Sequence, residues 1–555
     1  MIVGEAWGRE EAAASLPFVG AAGHELRSEL RAAGLEDTQC FFTNVIAERP
    51  KDNDFTNFLY RTSERKPLVR GLSPRSNLID GCEKLRLQID AVRPELIIGC
   101  GNIPLWALTD HADISSRDGF KYPGGITKWR GSQTYTIKEY GSIRFLPIIH
   151  PASVLREYGW KYINIHDLSS RAHRFLTGQT SWDCPTPIIQ STPTFSEAKR
   201  WLEIWINTVN SEPLALAVDI ETWQRKAIVC IGLAGANSAI CIPFFYFNQS
   251  GRCINYFEEE NEYSILSLIS TLLRHPNLQI VGQNYIYDYQ YLSRLWGIYS
   301  PVTYDTMLMH HLCWPGTPKS LEYLASLYCE HYLYWKDESQ EWDGRGGHEA
   351  LWTYNCKDVR TTYDIHVELK KLIIQQNLSE QWSFQQEQWK LAAQVMQRGI
   401  RVDHFKMTEI NLKLNQEAEK LETFLSSILP PDLAETKAGG PWYNSPLHSM
   451  SIFYDLLAIS PVKHRRTGRP TFNYEAFDTL RRRSPWLTPV FDALESYRSI
   501  GVFRKNFLDI LLGPDKRLHC NFNVGGTETF RWSSSKNGFG EGANFQTIPK
   551  GDEDQ

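Results

Sequence analysis

Short apolar bursts punctuate the first 175 residues. Met1–Val3, Gln39–Ile46, Glu95–Gly99 and Ile143–Ile149 read as strands separated by polar, helix-forming stretches. Such alternation predicts an α/β layer whose functional groups gather at strand ends. Residues 176–185 then supply Gly, Thr, Ser and a Cys-Pro step, with Pro187 and Pro193 following, a pattern expected of a linker. A second series opens with five apolar residues, Leu214–Val218, running into Asp219-Ile220-Glu221-Thr222, as a buried strand does at a sheet edge. Ala227–Ala234, Ala239–Phe247 and Leu278–Gly282 continue it as strands. Between them Ile265, Leu266, Leu268, Ile269, Leu272 and Leu273 mark an amphipathic helix that stops near Pro276. From residue 380 the period is helical, through Gln388–Met396 and a charged amphipathic helix over Met407–Leu429.

A chain of 555 residues is too long for one core and divides into about three or four domains. Hydrophobic residues at 42% and charged residues at 22% describe a globular class. The net charge of −5 gives no overall basic bias, so any nucleic-acid contact must come from local patches. The 11 cysteines contain no C-x-x-C pair, which favours a reducing compartment and no structural zinc. No apolar run reaches membrane-span length and Met1–Glu5 has no basic n-region, so the expected location is cytoplasmic, in a host cell if phage-encoded.

Chemistry enters at Asp219 and Glu221. Residues two apart in a strand share a face, and adjacent carboxylates repel unless a hard divalent cation lies between them. Further along come Asn284-x-x-x-Asp288 and Tyr354-x-x-x-Asp358, the latter pair one helical turn apart. Asp305 is placed to cap a helix. Together these residues resemble the three motifs of the proofreading 3′–5′ exonucleases, a DnaQ-like, ribonuclease H-like α/β group. The resemblance implies Asp219, Glu221, Asp288 and Asp358 as ligands of two Mg²⁺ or Mn²⁺ ions about 3.5–4 Å apart. It also implies Asp219 as the bridge, Tyr354 orienting the attacking water, and Asn284 near the DNA.

The first 178 residues resemble the uracil-DNA glycosylase superfamily, particularly its family four branch. The matching pieces are Gly4-Glu5-Ala6-Trp7-Gly8, Pro17-Phe18-Val19-Gly20-x-x-Gly23, Thr43-Asn44-Val45, Ile97-Ile98-Gly99-x-Gly101 and His150-Pro151-Ala152. The resemblance implies Glu5 near the water, Phe18 stacked on a flipped uracil, Asn44 on its edge and His150 stabilising the departing base. Trp7 stands where the family has Pro, and of the four cluster cysteines only Cys82 matches, with Glu48 in place of another. No iron–sulfur cluster is therefore expected, since one thiolate cannot hold one. The module reads either as a repair domain or as a structural, DNA-holding one.

Residues 379–525 and 526–555 resemble the thumb and the start of the palm of family A DNA polymerases, the DNA polymerase I type. Gly399-Ile400-Arg401-Val402-Asp403, Arg466-Thr467-Gly468-Arg469, Thr527-Glu528-Thr529-Phe530-Arg531-Trp532-Ser533-Ser534 and Asn544-Phe545-Gln546 carry the likeness. Arg465, Arg466, Arg469, Arg531, Ser533, Asn544 and Gln546 are thereby DNA-contact candidates, and Arg481–Arg483 form a second basic run. The expected architecture is multidomain. It comprises an α/β glycosylase-like domain (1–178), an α/β exonuclease domain (179–378), a mainly helical thumb (379–525) and a palm start (526–555). The expected function is the amino-terminal subunit of a split replicative polymerase, acting on primer–template and single-stranded DNA while a separate subunit carries palm and fingers. The alternatives are a stand-alone exonuclease and a non-catalytic DNA-clamping scaffold. No membrane partner is expected.

Overall fold

The computed structural model describes residues 1–185, 187–342, 346–436, 439–465 and 467–548. The chain forms two compact units, Met1–Glu387 and Gln388–Gln555. Among the described residues no helix is long and apolar enough to cross a membrane.

The first unit contains two sheets. In the first, β1 (Ile2–Ala6), β2 (Phe42–Ile46), β3 (Leu96–Cys100), β4 (Thr134–Tyr135) and β5 (Arg144–Ile148) lie in the order β2-β1-β3-β5-β4. All pairs are parallel except β5–β4. Helices α1 (Ala21–Ala32) and α2 (Ser76–Val92) bury apolar residues such as Leu26, Leu30, Leu85 and Ile89 on the two sides of this sheet. Both faces being covered, the strands read as continuous apolar runs.

The second sheet is built from β6 (Ile188–Gln190), β7 (Leu214–Trp223), β8 (Ala227–Ala234), β9 (Ser238–Pro243), β10 (Leu278–Gly282) and β11 (Tyr304–Asp305). Their order is β11-β10-β7-β8-β9-β6. β7 is central, antiparallel to β8 and parallel to β10. The strand expected over Ala239–Phe247 is two strands: β9 ends at Pro243, and Phe245–Phe247 pairs instead with Cys253–Asn255. Pro243 brings no N–H to a ladder, so the run breaks there.

Helix α3 (His348–Gln375) lies across β7, β8 and β9. Gly232 on β8 makes this possible, because a Cβ there would sit 2.3 Å from Asn355 Oδ1 and 2.8 Å from Val359 on the helix.

The second unit is mainly helical, with α4 (His404–Ser427), α5 (Tyr474–Arg483) and α6 (Thr488–Phe503). Its core gathers Leu425, Trp442, Phe453, Phe472, Phe477 and Phe491. Two small antiparallel ladders, Ile400–Arg401 with Arg517–Leu518 and Asn521–Asn523 with Ser533–Ser535, complete it.

Within the first unit, the Arg130 guanidinium donates to both oxygens of Asp167 at 2.7 Å, and both side chains are almost wholly buried. Asp167→Ala would leave a buried, unpaired guanidinium, so a loss of about 3–5 kcal/mol is expected. A lowered midpoint in thermal unfolding of the full chain would register it.

Candidate active site

Strand β7 presents Asp219 and Glu221 on one face, while Val218 and Ile220 are buried on the other. Helix α3 brings Asp358 against them. One carboxylate oxygen from each of Asp219, Glu221 and Asp358 lies within 4.8 Å of the others. The fourth expected ligand, Asp288, is 3% exposed and not part of that triad. Its Oδ1 accepts from Ile220 N at 2.9 Å, tying it to the backbone between the two strand carboxylates.

These groups are costly to ionise together. Burial, then the neighbouring Asp358 charge, raises Asp219 to about 7. Burial and Asp219 push Glu221 well above the ordinary carboxylate range, and the same two causes act on Asp288. Burial also raises Asp358, against the opposing pull of Lys336. Converged oxygens that resist carrying their charge unaided form a donor set suited to a hard divalent cation.

Donors around the triad hold it in place. Asn355 Nδ2 donates to Asp219 Oδ2 at 2.9 Å, Trp335 Nε1 to Asp358 Oδ1 at 2.6 Å, and Lys336 Nζ to Asp358 Oδ2 at 2.6 Å. Lys336 Nζ also donates to the Tyr354 hydroxyl at 2.8 Å. Burial and the adjacent Asp358 raise the Tyr354 phenol, so it keeps its proton. In sequence Trp335 stands out only as one of several aromatic residues near the motifs that could stack on a primer end, and its bond to Asp358 is not legible there. Asn355 adjoins Tyr354 and shares its helix, whereas Lys336 lies in an aperiodic segment with no signal.

The second motif is anchored through Asp305. Its carboxylate accepts from the backbone N–H groups of Met307 and Leu308, capping their helix as expected, and from those of Asn284 and Tyr285. Asn284 takes a left-handed conformation, φ +55°, at the turn into helix α7 (Ile286–Trp296).

At the first sheet, Glu5 lies on β1, Asn44 on β2, and His150 follows β5. Phe18, at φ +55°, and Asn44 both close on Gly4, where a Cβ would come within 2.6 Å of each. Asn44 Nδ2 donates to Ala6 O at 3.3 Å, while its buried Oδ1 has no partner. Burial raises Glu5 to about 7 and lowers His150 to about 4. His150 Nδ1 accepts from Ala152 N at 3.1 Å, so the neutral ring carries its proton on Nε2 as a donor.

In the helical unit, Arg465, Arg469 and Arg531 are exposed, and Arg466 lies outside the described residues. Ser533 belongs to a short ladder. Asn544 caps the turn Phe545–Thr547, and Gln546 Nε2 donates to Trp532 O, so both amides serve the local fold. The basic run Arg481–Arg483 is engaged within the protein. Arg481 pairs with Asp478, Asp492 and Glu495, Arg482 donates to Asp478 O, and Arg483 to Ser460 O.

Residues 1–166 match the uracil DNA glycosylase superfamily and residues 193–374 a 3′–5′ exonuclease family. The chain is 20% identical over 600 residues to a DNA polymerase of Bacillus phage SP01, a match covering 94% of this chain and 60% of that protein. It is 36% identical over 163 residues to the type-4 uracil-DNA glycosylase of Pyrobaculum aerophilum, covering 28% of this chain and 68% of the relative. Against DNA polymerase I of Synechocystis it is 26% identical over 305 residues, covering 51% of this chain and 28% of that one.

Because the folded carboxyls hold protons that the unfolded chain has already lost, metal-free stability should fall as pH rises from about 4 through 7. A cation removes that penalty. In thermal melts Mg²⁺ or Mn²⁺ should therefore stabilise more at about pH 8 than at about pH 5.5. Asp219→Asn should raise the metal-free midpoint at the higher pH and lose most of the cation response.

Proposed function

From the premise that residues 1–166 belong to the uracil DNA glycosylase superfamily and precede a 3′–5′ exonuclease domain, we propose that the chain is the proofreading portion of a family A-type DNA polymerase. The observation that carries this reading is the convergence of Asp219, Glu221 and Asp358 within 4.8 Å, beside Asp288 and Tyr354. Asp219, Glu221, Asp358 and Asp288 would hold two divalent cations. When bound, such ions lower the pKa of a water and neutralise charge on the scissile phosphate and departing 3′ oxygen.

The chain's own residues do the rest. The Tyr354 oxygen accepts from Lys336 and its hydroxyl also interacts with Asp358, which holds the phenol beside the carboxylates, where it would orient a water at the 3′-terminal phosphate. Asn355 and Trp335 fix the carboxylate rotamers, so no reorganisation is needed when substrate arrives. The exposed Arg465 and Arg469 of the helical unit, with Arg531, would grip primer–template phosphates in the manner of a thumb. Palm and fingers would come from further polypeptide; in the finer form of the proposal they belong to a separate subunit.

For the amino-terminal region, the unpartnered Asn44 Oδ1 and the Nε2–H donor of neutral His150 support uracil recognition. The acceptor matches a base-edge N–H, and the donor suits a departing base anion.

A 5′-labelled primer–template with Mg²⁺ and no nucleotide should be shortened from its 3′ end. Asp219→Ala should abolish this, and Tyr354→Phe should slow single-turnover cleavage by about 10²-fold. Intact primers with the wild-type chain would refute the exonuclease reading. On a uracil-containing strand, alkali-labile sites should appear with wild type and be strongly reduced in Asn44→Ala. No cleavage in either would leave the region as a DNA-holding module.

A further inference from the structure

The segment Cys329–Asp337 runs between the two sheets of the first unit and touches both sides in turn. On the glycosylase-like side, Gln133 N donates to Tyr332 O at 2.7 Å, and Tyr332 N returns a bond to Gln133 Oε1 at 3.2 Å. Two residues on, Tyr334 N donates to Ser132 Oγ at 3.2 Å, and the Tyr334 ring packs against Trp129 at 5.2 Å. Trp129 is itself stacked on His111 at 3.8 Å. Lys128 closes the row with an ion pair to Asp337 at 3.3 Å.

The start of the segment is fixed as firmly. Arg171 donates to Cys329 O at 2.7 Å and to Ser326 O at 3.2 Å, while Arg130, held by Asp167, reaches Ser326 Oγ. Gly131 is needed at this point, since it has φ +73° and a Cβ would lie 2.7 Å from Asp167 Oδ1.

The two residues between these anchors face the exonuclease carboxylates. Trp335 donates to one oxygen of Asp358, and Lys336 donates to the other and to Tyr354. A carboxylate offers about four lone-pair directions, so one donor on each oxygen fixes the group while leaving room for a cation. The Trp335 ring packs edge-on against the anchor Tyr332 at 6.4 Å, and its backbone (φ −137°, ψ −7°) opens the 3-10 turn Lys336–Glu341, which sends Lys336 to Asp358 and Asp337 back to Lys128.

We infer that residues 332–337 are a strap through which the glycosylase-like region holds the exonuclease site in register, with Trp335 and Lys336 as positioning residues for Asp358 and Tyr354. This rests on the exonuclease reading of that site. It gives the first region a role in proofreading that does not depend on its acting on uracil. The distant anchors Ser132 and Lys128 touch none of the carboxylates, yet the alignment of Asp358 depends on them.

The full chain tests this, by single-turnover cleavage of a labelled primer–template and, separately, by Mn²⁺ binding without DNA, followed by electron paramagnetic resonance. Trp335→Phe should reduce both the rate and Mn²⁺ affinity by about 10- to 100-fold. Lys336→Ala should slow cleavage by about tenfold without weakening Mn²⁺ binding, because a competing positive charge is gone, and Lys336→Arg should restore most of the rate. The deciding variant is the double change Ser132→Ala with Lys128→Ala, with Ser132→Ala alone as the second choice should the double variant melt early. Either should lower the rate and Mn²⁺ affinity severalfold in a chain that remains folded at the assay temperature, as its melting curve would show. Wild-type values in these anchor variants would overturn the strap while leaving the exonuclease reading intact. If the wild-type chain does not cleave but the anchor variants still alter Mn²⁺ affinity, the exonuclease reading fails and the strap stands.

Discussion

Mutual repulsion among Asp219, Glu221 and Asp358 is the constraint that the surrounding architecture answers. Three carboxylates do not settle within 4.8 Å of one another unless rigid backbone forces them together and donors offset part of their charge. A central strand supplies the first two. The third needs a long helix lying close on the sheet, and that closeness needs Gly232 opposite Asp219 in the strand register. Asn355, Trp335 and Lys336 supply the donors. Sheet order, helix placement and a missing side chain are thus all tied to one small volume of converging oxygens.

Sequence exposes those parts of this arrangement that are local in the chain. Asp219 and Glu221 declare themselves through strand periodicity, Tyr354 and Asp358 through helix periodicity, and Asp305 through its place ahead of an apolar helix. Lys336 and Trp335 gave no such sign, because their relation to Asp358 spans more than 20 residues and exists only after folding. The buried pair of Arg130 and Asp167 is invisible for the same reason. The run Ala239–Phe247 misled in the opposite sense, since its apolar pattern is continuous while Pro243 interrupts the ladder. Asp288 was legible from its spacing to Asn284, while the bond from the Ile220 amide to its Oδ1, which sets it beside Asp219 and Glu221, was not.

At the first sheet the chemistry is set by depth. Glu5 and His150 are both driven toward their neutral forms, one upward to about 7 and the other downward to about 4. Burial raises Asp219 on the second sheet to about 7 as well, but there a neighbouring carboxylate adds to the shift, whereas burial alone acts on Glu5. One compact unit therefore holds two places where depth governs ionisation, and in only one of them do carboxylate oxygens converge among the described residues.

The arginine run on helix α5 carries a wider implication. Arg481 is shared among Asp478, Asp492 and Glu495, so its field is cancelled within a few ångströms. Drawing it toward a polyanion would strip three acids of their partner. Tallying basic residues would therefore overstate the positive field that this helix offers to its surroundings.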